Sequence, residues 1–158
     1  MSNLDLSQLS VLLVEDEEFM RNLLVRMLYD LPVKAVIAAV DGMDAEFKLK
    51  LNRPKVDLII CDIVMPNVSG LQFVKSVRDG KTSCNSDVPV MLLTGVGRPE
   101  VVLAAAEVGI NGYLKKPVSH KGLKKRVMAA MTSPIVKAIG ENMPDAEQFS
   151  DAEQLIDE

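Results

Sequence analysis

The sequence predicts an α/β protein, a single parallel sheet of five strands with helices on both faces. Three observations predict it. Five short apolar runs alternate with segments whose apolar residues recur at helical spacing. The runs are apolar at consecutive positions, as strands buried on both faces require. The chain of 158 residues, 48% hydrophobic and 25% charged, is long enough for one full core and hardly for two.

The elements follow in order. Ser10 to Val14 is an apolar run that stops at Glu15-Asp16. A helix comes next, with Phe19, Leu23 and Met27 on one line and Met20, Leu24 and Leu28 on its neighbour, ended by Pro32. Lys34 to Val40 is the second strand, and Asp41-Gly42 turns the chain into a helix through Ala45, Phe47, Leu49 and Leu51. Val56 to Cys61 is the third strand. It runs into Asp62 and a turn of Pro66, Asn67, Ser69 and Gly70, before a helix carrying Leu71, Phe73, Val74 and Val77. Val88 to Leu93 is the fourth strand, ending at Thr94-Gly95. A helix from about Pro99 to Val108 stops at Gly109. Ile110 to Leu114 is the fifth strand, and the helix after Ser119 carries Leu123, Val127, Met128 and Met131.

Composition excludes several classes. No apolar run has the length of a membrane span, and the first residues lack a secretory pattern. Cys61 and Cys84 form neither a disulfide framework nor a metal knuckle, so a reducing, cytoplasmic setting is expected. The net charge of −4 hides an asymmetry. Residues 141–158 hold seven acids and no base, leaving the remainder at +3. Neither a broad basic patch nor a basic tail supports nucleic-acid binding. The cluster Lys121, Lys124, Lys125 and Arg126 has helical spacing and reads as a solvated helix face.

A carboxylate closing a core strand, as Asp62 does, is costly without partners. Ligand sites in parallel sheets lie at the carboxyl ends of the strands. There strand 1 delivers Glu15 and Asp16, strand 3 Asp62, strand 4 Thr94 and strand 5 Lys116. In the order 2-1-3-4-5 these tips share one crevice. Three close carboxylates need a cation, and oxygen-only ligands suit Mg²⁺. A carboxylate can accept a phosphoryl group, which requires positioning and neutralisation of its oxygens.

With these residues in place, the sequence resembles the CheY-like response-regulator receiver family over about Ser10 to Met131. The resemblance rests on Val14-Glu15-Asp16, on Asp62-Ile63-Val64-Met65-Pro66 with Ser69-Gly70, on Thr94, and on Tyr113 three residues before Lys116-Pro117. It implies a flavodoxin-like (βα)5 fold in the order 2-1-3-4-5. It implies Asp62 as phosphoacceptor from a sensor histidine kinase or a histidine phosphotransfer protein. It also implies Mg²⁺ held by Asp16, Asp62 and the Val64 backbone carbonyl, with Glu15 acting through water. Thr94 and Tyr113 are the implied switch pair, Lys116-Pro117 an implied cis bond, and the face of helix 4, strand 5 and helix 5 the implied partner surface. Glu15 stands where Asp is more usual in the family, and Lys115 adds a second lysine beside Lys116.

The expected organisation is an N-terminal extension (1–9), a receiver domain (10–131) and an acidic tail (132–158), disordered or a short helix. The tail repeats Asp-Ala-Glu-Gln at 145 and at 151. The expected protein is a cytoplasmic signalling switch rather than an enzyme. It has no output domain, binds neither nucleic acid nor membrane, is a monomer or a phosphorylation-dependent dimer, and acts on an unidentified protein target. Two alternatives stand beside this reading. A haloacid-dehalogenase-like phosphatase would need a second Asp two residues after Asp62, where this chain has Val64. A receiver-shaped scaffold that never needs phosphate would not require the intact acid set with Thr94 and Lys116.

Overall fold

The structure, a computed structural model, describes residues 5–52, 55–63, 70–95 and 106–132. A 3-10 turn at Leu6–Gln8 leads into β1 (Ser10–Val14), α1 (Glu18–Asp30), β2 (Ala35–Ala39) and α2 (Gly42–Asn52). β3 (Leu58–Asp62), α3 (Gly70–Arg78) and β4 (Val90–Thr94) follow. Residues 106–108 are helical, labelled α4 here, and β5 (Gly112–Lys115) and α5 (His120–Thr132) complete the described chain. All strand pairings are parallel, in the order β2-β1-β3-β4-β5. The α/β sheet expected from the sequence is present. The tail and the Val64 to Ser69 turn lie outside the described residues.

Alternation along each strand divides the core into two layers. Val11 and Leu13, Leu58 and Ile60, Met91 and Leu93, and Leu114 point to the side covered by α1 (Leu24, Met27, Leu28) and α5 (Leu123, Val127, Ala130). Leu12 and Val14, Ile59 and Cys61, Val90 and Leu92, and Tyr113 point to the side of α2 (Ala45, Leu49) and α3 (Phe73, Val74, Val77). Each fully buried aliphatic side chain of this kind stabilises the fold by about 1.5–3 kcal/mol. The consecutive apolar runs are the sequence signature of these two covered faces.

Some apolar residues named along the expected helices are exposed. Phe19 is 73% exposed, Phe47 61% and Leu51 62%, and Met128 also faces solvent. Helix geometry explains each. Successive residues advance by roughly 100°, so Phe47 and Leu51 oppose the line of Ala45 and Leu49 that meets the sheet. Phe19 lies well round α1 from Leu24 and Leu28, and on its expected row only Met27 is fully covered.

At the amino ends of the strands, Arg78 forms a clamp that sequence reading missed. Its guanidinium donates to the carbonyls of Gly109 (3.0 Å), Ser86 (2.8 Å) and Val88 (2.7 Å), and to Asn111 Oδ1 (3.3 Å). Asn111 Oδ1 also accepts from the Val90 N–H at 2.9 Å. One half-buried cation thus ties α3 to the entries of β4 and β5. Hydrogen bonds to charged groups contribute about 1.5–3 kcal/mol each, and orphaned carbonyls add to the loss. Arg78→Ala is expected to cost about 3 kcal/mol, seen as a lower urea midpoint.

Candidate functional site

Strand register alone brings the expected site residues together. Val14 pairs with Cys61, so Glu15 reaches the level of Asp62. Asp62 closes β3 opposite Leu93, which places Thr94 one step further along β4. Thr94 pairs with Lys115, and Lys116 follows. Backbone pairing continues one residue past each strand. The N–H groups of Glu15, Ile63 and Lys116 donate to the carbonyls of Ala39 (3.0 Å), Leu93 (3.2 Å) and Thr94 (2.8 Å).

The loop after β1 is fixed by its own side chains. Glu17 caps α1, accepting from the N–H groups of Phe19 (3.0 Å) and Met20 (2.7 Å). Glu15 Oε2 accepts from the Glu17 N–H at 3.2 Å. Arg21 reaches back from α1 to the carbonyls of Glu15 (3.1 Å) and Asp16 (3.3 Å). Asp41 is the ordinary helix entry expected of it. Its Oδ1 accepts from the Asp44 N–H at 2.7 Å.

Glu15 is fully buried, Asp62 and Thr94 nearly so, and Asp16 is exposed at the mouth. Carboxylate oxygens of Glu15, Asp16 and Asp62 all lie within 4.8 Å of one another. The Lys116 ammonium donates to Asp62 Oδ2 at 2.9 Å. It also forms an ion pair with Glu15 Oε1 at 2.5 Å. Glu15 is thus in direct contact with Lys116. Lys115 lies on β5, and it is Lys116 whose ammonium joins the acids.

The titration behaviour follows from this packing. Burial is the largest influence on Glu15 and raises its pKa to about 7. Asp62 pushes in the same direction, while Lys116 and the Glu17 N–H oppose. Burial pulls the Lys116 ammonium down, but Glu15 and Asp62 outweigh it and raise the net value. Burial, with Asp62 and Glu15 adding to it, drives the Cys61 thiol up, so Cys61 is inert packing as expected.

One ammonium among three carboxylates leaves an excess of two negative charges when all ionise. Burial, with Asp62 adding to it, keeps the Glu15 pKa raised against the opposing pull of Lys116. An oxygen-only donor set of this charge fits a hard dication such as Mg²⁺. Val64, whose carbonyl was expected to join it, lies outside the described residues.

Tyr113 stands three residues before Lys116, buried in the core on the side of α2 and α3. The Lys116–Pro117 and Leu31–Pro32 peptide bonds are both cis. Besides Arg21 and Arg78, sequence reading missed what Gly70 does. Its N–H donates to the Ile63 carbonyl at 3.0 Å, seating α3 directly against the strand end that carries Asp62.

Comparison with known proteins agrees with this geometry. A family model described as "Response regulator receiver domain" matches residues 11–128. The chain belongs to that family. As a receiver it is 35% identical over 121 residues to the phosphate regulon transcriptional regulatory protein PhoB of Escherichia coli K12, covering 77% of this chain and 51% of PhoB. The chain thus spans about half the length of the curated relatives it matches. Among solved structures, the receiver is similar to chemotaxis protein CheY4 of Vibrio cholerae, with 31% identity and a TM-score of 0.71 over 78% of this chain and 98% of that one. It also resembles the signal receiver domain of a signal transduction histidine kinase from Syntrophus aciditrophicus, at 28% identity and a TM-score of 0.66, over 78% of this chain and 89% of that one. Receiver domains act in two-component signalling, accept phosphoryl groups and bind Mg²⁺ at an acidic pocket. Among the described residues no helix is long and apolar enough to cross a membrane.

Proposed function

We propose that Asp62 accepts a phosphoryl group from a phosphohistidine on a sensor histidine kinase or a histidine phosphotransfer protein. An Asp62 carboxylate oxygen forms the new P–O bond while the P–N bond breaks, and the imidazole nitrogen keeps the electron pair and takes up a proton. The observation that carries this reading is the Lys116 ammonium bridging Asp62 and Glu15 at the mouth of a carboxylate cluster that still holds excess negative charge. In this reading Lys116 neutralises one phosphoryl oxygen on Asp62 and Thr94, at the end of β4, meets another. Glu15, Asp16 and Asp62 would hold Mg²⁺, which supplies charge neutralisation for the transfer. The signalling unit covers residues 10–131. The side of the domain formed by α4, β5 and α5 is the surface that answers to the modification. Tyr113 is already inward, so any response of its ring starts from a buried position.

The test is direct. Acetyl phosphate with Mg²⁺ is expected to add a single phosphoryl group, mapped by mass spectrometry to the peptide containing Asp62. Asp62→Asn, or chelation of the metal, should abolish it. Labelling at another residue, or none on the folded protein, would sink the proposal.

A further inference from the structure

The outer face of α5 is a basic strip that no described residue neutralises. Lys121, Lys124, Lys125 and Met128 stand at positions i, i+3, i+4 and i+7, one continuous stripe, and all four are exposed. Their opposite face, Leu123, Val127 and Ala130, is buried against the sheet. α5 contains no acid, and among the described residues none of these three lysines forms an ion pair. The lysines sit in the first half of the helix, where the dipole is already positive. In contrast, α1 and α2 carry Glu18 and Asp44 in their first turns.

The chain also contains the complement of this strip. Residues 141–158 hold seven acids and no base, with Phe149, Leu155 and Ile156 between them. From Thr132 back to Lys121 is about 17 Å along the helix. The stretch 133–144 can span up to roughly 40 Å when extended. The acidic segment can therefore lie back along the helix it follows. Single exposed ion pairs are weak, but a tether of this length raises the effective concentration, to about the millimolar range.

We infer that the acidic segment 141–158 docks on the Lys121–Lys124–Lys125–Met128 face of α5 in its own chain. The carboxylates meet the three lysines, and the segment's apolar residues meet Met128. A docked segment shields this face from any other acidic partner, so partner access becomes sensitive to salt and to tail charge.

The experiment uses full-length chains. Amide spectra of the native protein are compared with those of a variant carrying Asp145→Asn, Glu147→Gln, Asp151→Asn and Glu153→Gln. At low salt, differences on the described domain are expected to be confined to the α5 stripe. They should vanish near 1 M salt, where screening shortens from about 10 Å at 0.1 M to about 3 Å. Coincident low-salt spectra, or differences centred elsewhere, would overturn the inference. Carbodiimide cross-linking of an equal mixture of light and heavy isotope-labelled chains separates the two possible sources of the segment. Links from Lys121, Lys124 or Lys125 to residues 141–158 within one isotope support docking in the same chain. Mixed-isotope links would place a second copy there, and the proposal would fail.

Discussion

Gly70→Ala is expected to destabilise the domain by about 3–5 kcal/mol and to slow phosphorylation of the fraction that still folds. A Cβ at position 70 would lie 1.8 Å from the Asp62 carbonyl oxygen, 2.8 Å from its carbonyl carbon and 2.9 Å from Ile63 Cα. All three are backbone atoms, so no side-chain rotation relieves the clash. Overpacking in a core costs about 1–3 kcal/mol when side chains can adjust; backbone against backbone puts this case at or beyond that range. Either α3 moves off the sheet or the end of β3 moves away from α3. The second displaces the Asp62 carboxylate relative to Lys116, and small misplacements of reacting groups carry large rate penalties. Gly80→Ala is the informative control. Gly80 has φ +73, and a Cβ added there would meet nothing within 4 Å, so its cost is conformational, about 1 kcal/mol, with labelling unchanged. A denaturation midpoint for Gly70→Ala no lower than for Gly80→Ala would show that the contact is relieved without consequence.

Gly70 also marks where reading from sequence stops. The sheet was legible because strands covered on both faces leave consecutive apolar runs, as in Ser10 to Val14 and Val88 to Leu93. The grouping of Glu15, Asp16, Asp62 and Lys116 was legible for a related reason. Parallel strands all end on one side, so polar residues that close them must meet there. What the sequence did not carry was contact between segments distant in the chain. Gly70 read as part of a turn, yet its place depends on the Asp62 backbone passing within reach of its missing side chain. Arg78 closes α3, and nothing near it in sequence announces the carbonyls of Ser86, Val88 and Gly109 that it collects. Phe19 read as part of a broad apolar face yet is exposed, because helical spacing identifies a stripe without saying how wide a stripe the sheet covers. The exposed Lys121–Lys125 face was read correctly as solvated. Only the structure shows that Met128 belongs to it.

Lys116→Met is expected to show how much stability the domain spends on holding its acids together without metal. Removing one partner of a buried ion pair costs about 3–5 kcal/mol, because the remaining charge is left uncompensated. Here two carboxylates lose their shared cation, and Asp62 and Glu15 then face each other. The loss should depend on pH, with a definite sign. The Glu15 pKa rises on folding from 4.5 to about 7, so the folded state binds its proton more tightly than the unfolded chain. Stability from this group is therefore fully present below about 4.5 and is lost as pH rises through about 7, roughly 3 kcal/mol in all. The Lys116 pKa is itself raised above 10.5, so its stabilising charge is constant across that window. Without Lys116 the chief influence holding Glu15 down disappears, and its proton is retained to still higher pH. At about pH 5 Glu15 is protonated in both folded proteins, so Lys116→Met should cost only what the Asp62–Lys116 pair contributes. At about pH 8, where Glu15 is ionised in the native fold but keeps its proton in Lys116→Met, the penalty should be larger in metal-free buffer, read as a fall in thermal midpoint. Added Mg²⁺ should restore much of it, since the carboxylates that repel each other are those that would hold the ion. An equal loss under the two conditions would mean that Lys116 does not hold the Glu15 charge. A loss in the alkaline buffer that Mg²⁺ leaves untouched would mean that the acids are not arranged to share a cation, and the proposed phosphoryl site would lose its electrostatic basis.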